Sequence, residues 1–160
     1  VILLPEIPFS YESVVAKIEE REKAGKRFTL IVAAEGAREK GGDFVTAGEQ
    51  QANREARLGG VAALVAAELE RRTGKESRAC VLGHLQRGGS PTNFDRALCT
   101  IFGAEAVELI AAGKFGQMVA YEGARVSSVP ITEAIGRLKT VPPGSGFLRT
   151  ARALGVCLGD

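Results

Sequence analysis

The sequence predicts an α/β protein with a Rossmann-like, three-layer α/β/α architecture and a mainly parallel sheet. Three short, mostly apolar runs at residues 1–4, 28–34 and 79–82 indicate strands that are covered on both faces. Segments with helical spacing separate these runs, and parallel strands need a crossover of that length between them. Because this alternation continues to about residue 113, we expect one sheet flanked by helices.

The first strand and the first helix carry clear end signals. Pro5-Glu6-Ile7-Pro8 stops the run at residues 1–4, since proline interrupts regular structure. Ser10 is a good N-cap for the helix that follows, and Gly25 closes it. The apolar face of this helix comprises Val14, Val15 and Ile18.

The segment 36–59 gives the weakest structural signal of the chain. Residues 38–43 are charged and glycine-rich, as in a loop, and residues 49–57 are polar with some helical character. Apolar residues then recur at helical spacing from Leu58 to Leu69. This spacing predicts a helix that ends at Thr73-Gly74.

The run at residues 79–82 is the predicted central strand, and a polar corner follows it. Gly83 ends the strand, and His84, Gln86 and Arg87 come directly after it. Ligands of open α/β sheets collect beyond the carboxyl ends of strands. The corner is therefore a candidate anion site.

A helix is predicted from about residue 93 to residue 112. Gly88-Gly89-Ser90-Pro91 turns the chain into it, Thr92 or Asn93 can cap it, and Gly113 ends it. The start of a helix attracts anions, which adds to the case for a site at the corner. The residues expected to face inward are Leu98, Ile101, Phe102, Val107 and Leu109.

The last third of the chain predicts a hairpin and two short helices. Residues 117–121 and 125–129 flank Glu122-Gly123-Ala124, a pattern typical of a hairpin. Helices are expected at residues 131–138 and 148–154, on either side of a proline-glycine break.

Composition excludes several functional classes. The chain has 160 residues, of which 25% are charged and 45% hydrophobic, with a net charge of +2 and a pI of about 8.5. This charge falls short of the basic signature of nucleic-acid binders, and no apolar run is long enough for a membrane span. His84 is the only histidine, so a histidine-rich metal site is excluded. Three widely spaced cysteines suit a reducing cytoplasm better than a disulfide framework.

Two strand ends form the informative group of residues. If the strands at 28–34 and 79–82 are parallel in one sheet, Glu35 and the pair His84 and Arg87 emerge at the same edge. A carboxylate accepts hydrogen bonds from hydroxyls, and arginine and histidine donate them to phosphate, so the group suits a phosphorylated polyol. The alternative is a structural ion pair between Glu35 and Arg87, with His84 merely packed. Spacing alone does not choose between the two.

Arg78 lies at the opposite end of the predicted central strand. Six residues at about 3.3 Å each would place it on the order of 20 Å from His84. It is therefore either a surface arginine or a residue that serves a neighbouring subunit.

The remaining glycine-rich segments predict no nucleotide or metal site. Gly144-Ser145-Gly146 lacks the third glycine of a dinucleotide fingerprint, and Gly74-Lys75-Glu76 is not a Walker A loop. Gly88-Gly89-Ser90 is either an anion-binding nest or only a tight turn. No catalytic residue is predicted in the chain.

The sequence Gly-His-Leu-Gln-Arg-Gly-Gly-Ser-Pro at residues 83–91, followed by Phe94-Asp95-Arg96, resembles the sugar-phosphate signature of the 6-phosphofructokinases. The resemblance extends from Pro5 to the turn at Gly113. It implies the C-terminal half of a glycolytic kinase that transfers a phosphoryl group to O1 of fructose 6-phosphate. Residues 1–90 would belong to the substrate-binding domain, residues 91–140 would pack on a donor domain, and residues 141–160 would form a tail.

The resemblance also implies roles for five residues. Glu35 matches the carboxylate that binds sugar hydroxyls, and His84 and Arg87 match contacts to the 6-phosphate and the sugar. Gln86 lies within the same motif. Arg78 matches an arginine that reaches into the adjacent subunit's site in tetrameric members, which implies a homo-oligomer, a dimer or a tetramer, in the cytoplasm.

In the family, the donor loops, the Mg²⁺ ligand and the catalytic aspartate precede the part that this chain resembles. Mg²⁺ with ATP or pyrophosphate would thus be bound by the absent N-terminal half, and the chain alone would be inactive. The strand-like start at Val1 also suggests that the chain was cut from a longer one. The donor stays open, and Ala24 departs from the basic cluster of allosteric members. The alternative function is a separate, non-catalytic sugar-phosphate-binding or regulatory subunit.

Overall fold

The computed structural model describes residues 1–45, 59–136 and 138–160. The chain divides into two compact units. We call Val1–Val81 together with Thr140–Asp160 the core unit, and Leu82–Lys139 the hairpin unit.

The core unit contains a parallel strand pair joined through a helix. β1 (Ile2–Leu3) pairs with β2 (Val32–Ala33) in parallel, with Ile2 opposite Val32. The helix α1 (Tyr11–Lys23) lies between them in sequence. The predicted parallel pairing of the first two strands and the helix between them are confirmed.

The start of α1 follows the predicted capping chemistry. Ser10 has an extended backbone, and its Oγ accepts a hydrogen bond from the Ser13 amide at 3.2 Å. Such a cap satisfies one of the amides that the first turn of a helix leaves free. The side chains of Tyr11, Val14 and Ile18 are buried, so the predicted inner face of the helix is correct at Val14 and Ile18.

The helix α2 (Val61–Thr73) packs its inner face into the same core as α1. It ends at Gly74, whose left-handed conformation lets its amide bond back to the Glu70 carbonyl. The predicted end of this helix is confirmed, whereas Leu58 lies outside the described residues. The buried side chains of the cluster are Leu3, Phe9, Tyr11, Val14, Ile18, Ala37, Val61, Val65 and Leu69.

The last residues of the chain close over the first strand. After α5 (Gly146–Ala153), the backbone returns so that the Cys157 carbonyl accepts from the Ile2 amide at 3.0 Å. The Gly159 carbonyl accepts from the Ser10 amide at 2.7 Å, and Leu158 is buried. Residues 156–160 therefore belong to the packing of the core unit.

The predicted central strand at residues 79–82 is wrong for this structure. These residues form no regular element, and Val81 is 69% exposed. An apolar run becomes a strand only where a neighbouring strand pairs with its backbone, and within the described ranges neither β1 nor β2 pairs with this run. The strand predicted at 28–34 is likewise reduced to Val32–Ala33, with Phe28 and Leu30 exposed.

The hairpin unit consists of one long helix, a hairpin and a short helix. Its elements are α3 (Asn93–Ala111), β3 (Gln117–Glu122), β4 (Arg125–Pro130) and α4 (Ile131–Ile135). β3 and β4 are antiparallel, and Gly123 and Ala124 connect them with φ values of 56° and 65°. Two consecutive positive φ angles characterise the tight turn that best fits the strand twist. The predicted hairpin is confirmed.

The inner face of α3 is less buried than its apolar residues predict. Leu109, at 8% exposure, is the one buried residue of this helix, and Ile101 and Val107 are more than half exposed. The helix packs on β3 and β4, where Phe94 and Tyr121 make an edge-to-face contact. A two-stranded hairpin covers only part of a 19-residue helix, so the prediction that Ile101 and Val107 face inward is wrong here.

Candidate functional site

Three of the predicted binding residues lie on one short turn of the hairpin unit. Residues Gly83–Arg87 form a 3₁₀ helix, which the bond from the Gly88 amide to the Leu85 carbonyl closes at 3.0 Å. His84, Gln86 and Arg87 are exposed on it. Side chains three residues apart eclipse in a 3₁₀ helix, so His84 and Arg87 leave the turn on the same side.

Glu35 belongs to the core unit. It lies in the turn directly after β2, where the Ala37 amide donates to the Ala34 carbonyl at 2.9 Å, and its side chain is exposed. The predicted position at the carboxyl end of a strand is confirmed. The predicted edge shared with His84 and Arg87 assumed a strand at residues 79–82, and that assumption is wrong because no strand forms there. The hydroxyl-binding role stays a prediction that rests on the family resemblance.

Arg78 also belongs to the core unit, and it is exposed. Its Nε donates to Glu76 Oε1 at 2.8 Å. The predicted separation of Arg78 from His84 assumed a strand at residues 79–82, and that assumption is wrong because no strand forms there. A role in a neighbouring subunit stays a prediction that rests on the family resemblance.

The start of α3 is occupied by its own side chains. Thr92 Oγ1 accepts from the Asp95 amide at 3.2 Å, and Asp95 Oδ2 accepts from both the amide and the hydroxyl of Thr92 at 2.7 Å. These bonds form a capping box and lower the pKa of the Asp95 carboxyl, the Thr92 hydroxyl contributing most. A carboxylate already faces the positive end of the helix dipole, which argues against the helix start as the phosphate ligand.

Gly88 and Gly89, the first pair of the glycine turn before α3, do not form the anion nest that the sequence left open. A nest needs successive residues in mirror-related helical conformations. Gly88 is extended, with φ −78° and ψ 170°, and Gly89 has φ 100°. The backbone of this pair therefore supplies no nest, and the His84 and Arg87 side chains are the candidate anion ligands of the corner.

Asp95 is the residue that sequence analysis missed. Thr92 was expected as a cap, but the acidic residue three positions later was not recognised as its partner. The signal was available, because a threonine followed three residues later by an acidic residue before an apolar run is the signature of a capping box.

Two other kinds of site concern metal ions and membranes. Within residues 1–45, 59–136 and 138–160, no three acidic, cysteine or histidine side chains group as metal ligands would. None of the helices in that part of the chain has the length and the apolar character to cross a membrane.

The profile of a family described as phosphofructokinase matches residues 1–110. This chain belongs to that family. It is 48% identical to the ATP-dependent 6-phosphofructokinase of Chloroflexus aurantiacus over 160 residues, which are all of this chain and 43% of the relative. It is 51% identical over 145 residues to the pyrophosphate–fructose 6-phosphate 1-phosphotransferase of Amycolatopsis methanolica, covering 89% of this chain and 42% of the relative. The chain thus spans less than half the length of these relatives.

Solved structures confirm the predicted fold class. A pyrophosphate-dependent phosphofructokinase from Nitrosospira multiformis matches with a TM-score of 0.61 at 23% identity, over 89% of this chain and 34% of that one. A phosphofructokinase from Saccharomyces cerevisiae matches with a TM-score of 0.58 at 21% identity, over 97% of this chain and 18% of that one. This chain therefore has the α/β, Rossmann-like fold of the phosphofructokinases.

Proposed function

We propose that this chain is the fructose 6-phosphate-binding C-terminal half of a 6-phosphofructokinase, which transfers a phosphoryl group to O1 of that sugar. The observation that carries the proposal is the turn Gly83–Arg87, on which His84 and Arg87 lie three residues apart in a 3₁₀ helix and are both exposed. Family membership supplies the substrate class, since the similar proteins are named as phosphofructokinases.

Each proposed ligand has chemistry that suits its part of the sugar phosphate. The guanidinium of Arg87 offers a planar fork of donors that matches phosphate oxygens, and His84 adds a ring N–H. Glu35 would accept hydrogen bonds from sugar hydroxyls, and Gln86 can donate and accept beside them. Arg78, which is exposed and bonded to its neighbour Glu76, would reach the site of an adjacent subunit in a homo-oligomer.

The phosphoryl donor and Mg²⁺ would bind to the part of the relatives that this chain does not span. The described residues do not group as metal ligands, so they do not fit a resident Mg²⁺. Mg²⁺ would neutralise charge on the transferred phosphoryl group. We assign no catalytic residue to this chain and expect it to be inactive alone. Relatives named for ATP and for pyrophosphate both match it closely, so the donor is left open.

The proposal also assigns each part of the chain to a domain of the full-length enzyme. Residues 1–90 would contribute to the substrate-binding domain, residues 91–140 would pack on the donor domain, and residues 141–160 would end the chain. Apolar side chains exposed in the hairpin unit support the second assignment, because large exposed apolar surfaces mark interfaces. They are Ile101, Val107, Ile110, Phe115, Ile131, Ile135 and Leu138.

The match over the whole chain to one stretch of longer relatives favours this proposal over a separate regulatory subunit. The test is Arg87→Ala in the full-length enzyme. Loss of a charge-assisted hydrogen bond of about 1.5–3 kcal/mol should raise the KM for fructose 6-phosphate about tenfold or more. The KM for the phosphoryl donor should not change.

The matched control is Arg125→Ala, which removes the same charge from an exposed position of the hairpin unit at the start of β4. It should leave both KM values unchanged. An unchanged KM for fructose 6-phosphate in Arg87→Ala would remove Arg87 from the site and with it the main support for the proposal.

A further inference from the structure

The turn that carries His84 and Arg87 has little around it to fix its orientation. Every residue from Gly83 to Arg87 is exposed, and even Leu85 is 74% exposed. A ligand site on an unsupported turn would lose binding energy to ordering each time it is filled. The segment that follows the turn in sequence is one element that can hold it.

The connection from Arg87 to α3 is short and mostly stiff. Only residues 88–91 separate Arg87 from Thr92, the N-cap of α3. Pro91 has a fixed φ, and a residue before proline is restricted to extended conformations, which limits Ser90. The Gly88 amide is bonded back to the Leu85 carbonyl, so rotation is concentrated at Gly89.

The far end of this connection is fixed by side chains. The Asp95 carboxylate accepts two hydrogen bonds from Thr92 at 2.7 Å, and Thr92 Oγ1 accepts one from the Asp95 amide. Reciprocal bonds of this kind tie the N-cap residue to the third residue of the helix, which restricts the backbone of Thr92. Asp95 thus anchors the segment that leads to Arg87.

We propose that Thr92 and Asp95 are positioning residues for sugar-phosphate binding. They act through Pro91 and the glycine turn to hold Arg87 and His84 in their binding orientation, and they do not touch the ligand. This inference rests on the proposed function of the turn. It adds a role for the acidic residue of the cap beyond stabilising its helix.

The decisive variant is Thr92→Gly in the full-length enzyme. Glycine is nearly as good an N-cap as threonine, so α3 should keep its stability, but both side-chain bonds of Thr92 are lost. We expect the KM for fructose 6-phosphate to rise three- to tenfold, with kcat within twofold and the donor KM unchanged. Thr92→Ser keeps the hydroxyl and should restore the original KM.

The matched control is Ser10→Gly, the same kind of change at the N-cap of α1 in the core unit. It should leave the KM for fructose 6-phosphate unchanged. If Thr92→Gly behaves like Ser10→Gly, the two residues only cap a helix, and the positioning role is overturned.

A double variant separates this inference from the function on which it rests. If Thr92 and Asp95 act through Arg87 and His84, adding Thr92→Gly to Arg87→Ala should raise the KM by less than Thr92→Gly does alone, because only His84 is then left to position. A full additional effect would overturn the positioning route. An unaffected KM in Arg87→Ala alone would instead defeat the proposed function, and a shift in Arg87→Ala without one in Thr92→Gly would leave that function standing and reject the positioning role.

Discussion

The two units of this chain are stabilised in different ways. In the core unit, side chains from β1, α1 and α2, together with the last residues of the chain, bury one another in a common core. In the hairpin unit, Leu109 is the one side chain that is buried among the described residues. The core unit therefore depends on contacts between distant parts of the sequence, and the hairpin unit on local signals.

Charged groups show the same difference. In the core unit, Arg72 joins α2 to α1 by an ion pair with Glu12 at 2.5 Å, and its guanidinium lies 4.7 Å from the centre of the Tyr11 ring. In the hairpin unit, the described side-chain hydrogen bonds are local, such as the one between Thr92 and Asp95. Loss of one contact between distant residues should thus lower the stability of the core unit more than that of the hairpin unit.

The largest expected effect is the loss of a core side chain. Leu3 is fully buried, and Leu3→Ala should lower the free energy of unfolding of the core unit by about 2–5 kcal/mol, because it creates a cavity among fixed neighbours. In the hairpin unit, Ile135 is 77% exposed. Ile135→Ala should therefore change the free energy of unfolding of its own unit by less than about 0.5 kcal/mol. Hydrogen exchange, read separately for each unit, measures both. Equal effects of the two substitutions would contradict the comparison.

An effect of similar size is expected where the end of the chain closes over the core. Gly159 has φ 85°, and a Cβ added there would lie 2.5 Å from the Cβ of Phe9. Gly159→Ala should cost about 1–2 kcal/mol for the left-handed backbone and a further 1–3 kcal/mol or so for overpacking. Denaturant unfolding monitored in the core unit measures the sum.

Gly155→Ala is the matched control for that substitution. Gly155 has a similar φ of 75°, but nothing lies within 4 Å of the position of its Cβ. It should show the backbone cost alone. If the two alanine variants lose the same stability, residues 156–160 do not pack on the core as tightly as the comparison requires.

Sequence analysis predicted the elements that are determined locally. The cap at Ser10, the end of α2 at Gly74 and the hairpin turn at Gly123-Ala124 follow from the chemistry of a few adjacent residues, and the structure has them all. The strand predicted at residues 79–82 does not form. The apolar character of this run indicates that it is to be buried, but it does not show which strand would pair with it. Strand pairing depends on two segments, and the apolar pattern of one segment does not identify the other.

The candidate site was predictable to a similar extent. The motif placed His84, Gln86 and Arg87 together, and they share one turn. The sequence did not show that the turn is a 3₁₀ helix, which alone puts His84 and Arg87 on one side, nor that Asp95 occupies the start of α3. The first fact depends on hydrogen-bond geometry that the apolar pattern does not encode, whereas the spacing of Thr92 and Asp95 already carried the signature of a capping box.

The smallest expected effect concerns the dependence of stability on pH. Bonds from Arg71 and then Arg72 lower the pKa of Glu68 from 4.5 to about 2. Since the unfolded chain holds this proton more tightly, stability from Glu68 is present above pH 4.5 and is lost as the pH falls toward 2.

Glu68→Gln should flatten the acid slope of the core unit in that window and leave stability near pH 7 only slightly lower, because exposed ion pairs contribute little. An unchanged slope in Glu68→Gln would show that the pairs on α2 do not couple protonation to folding. The electrostatic half of the comparison between the units would then rest on the ion pairs that join distant segments, Arg72 with Glu12 and Lys75 with Glu22.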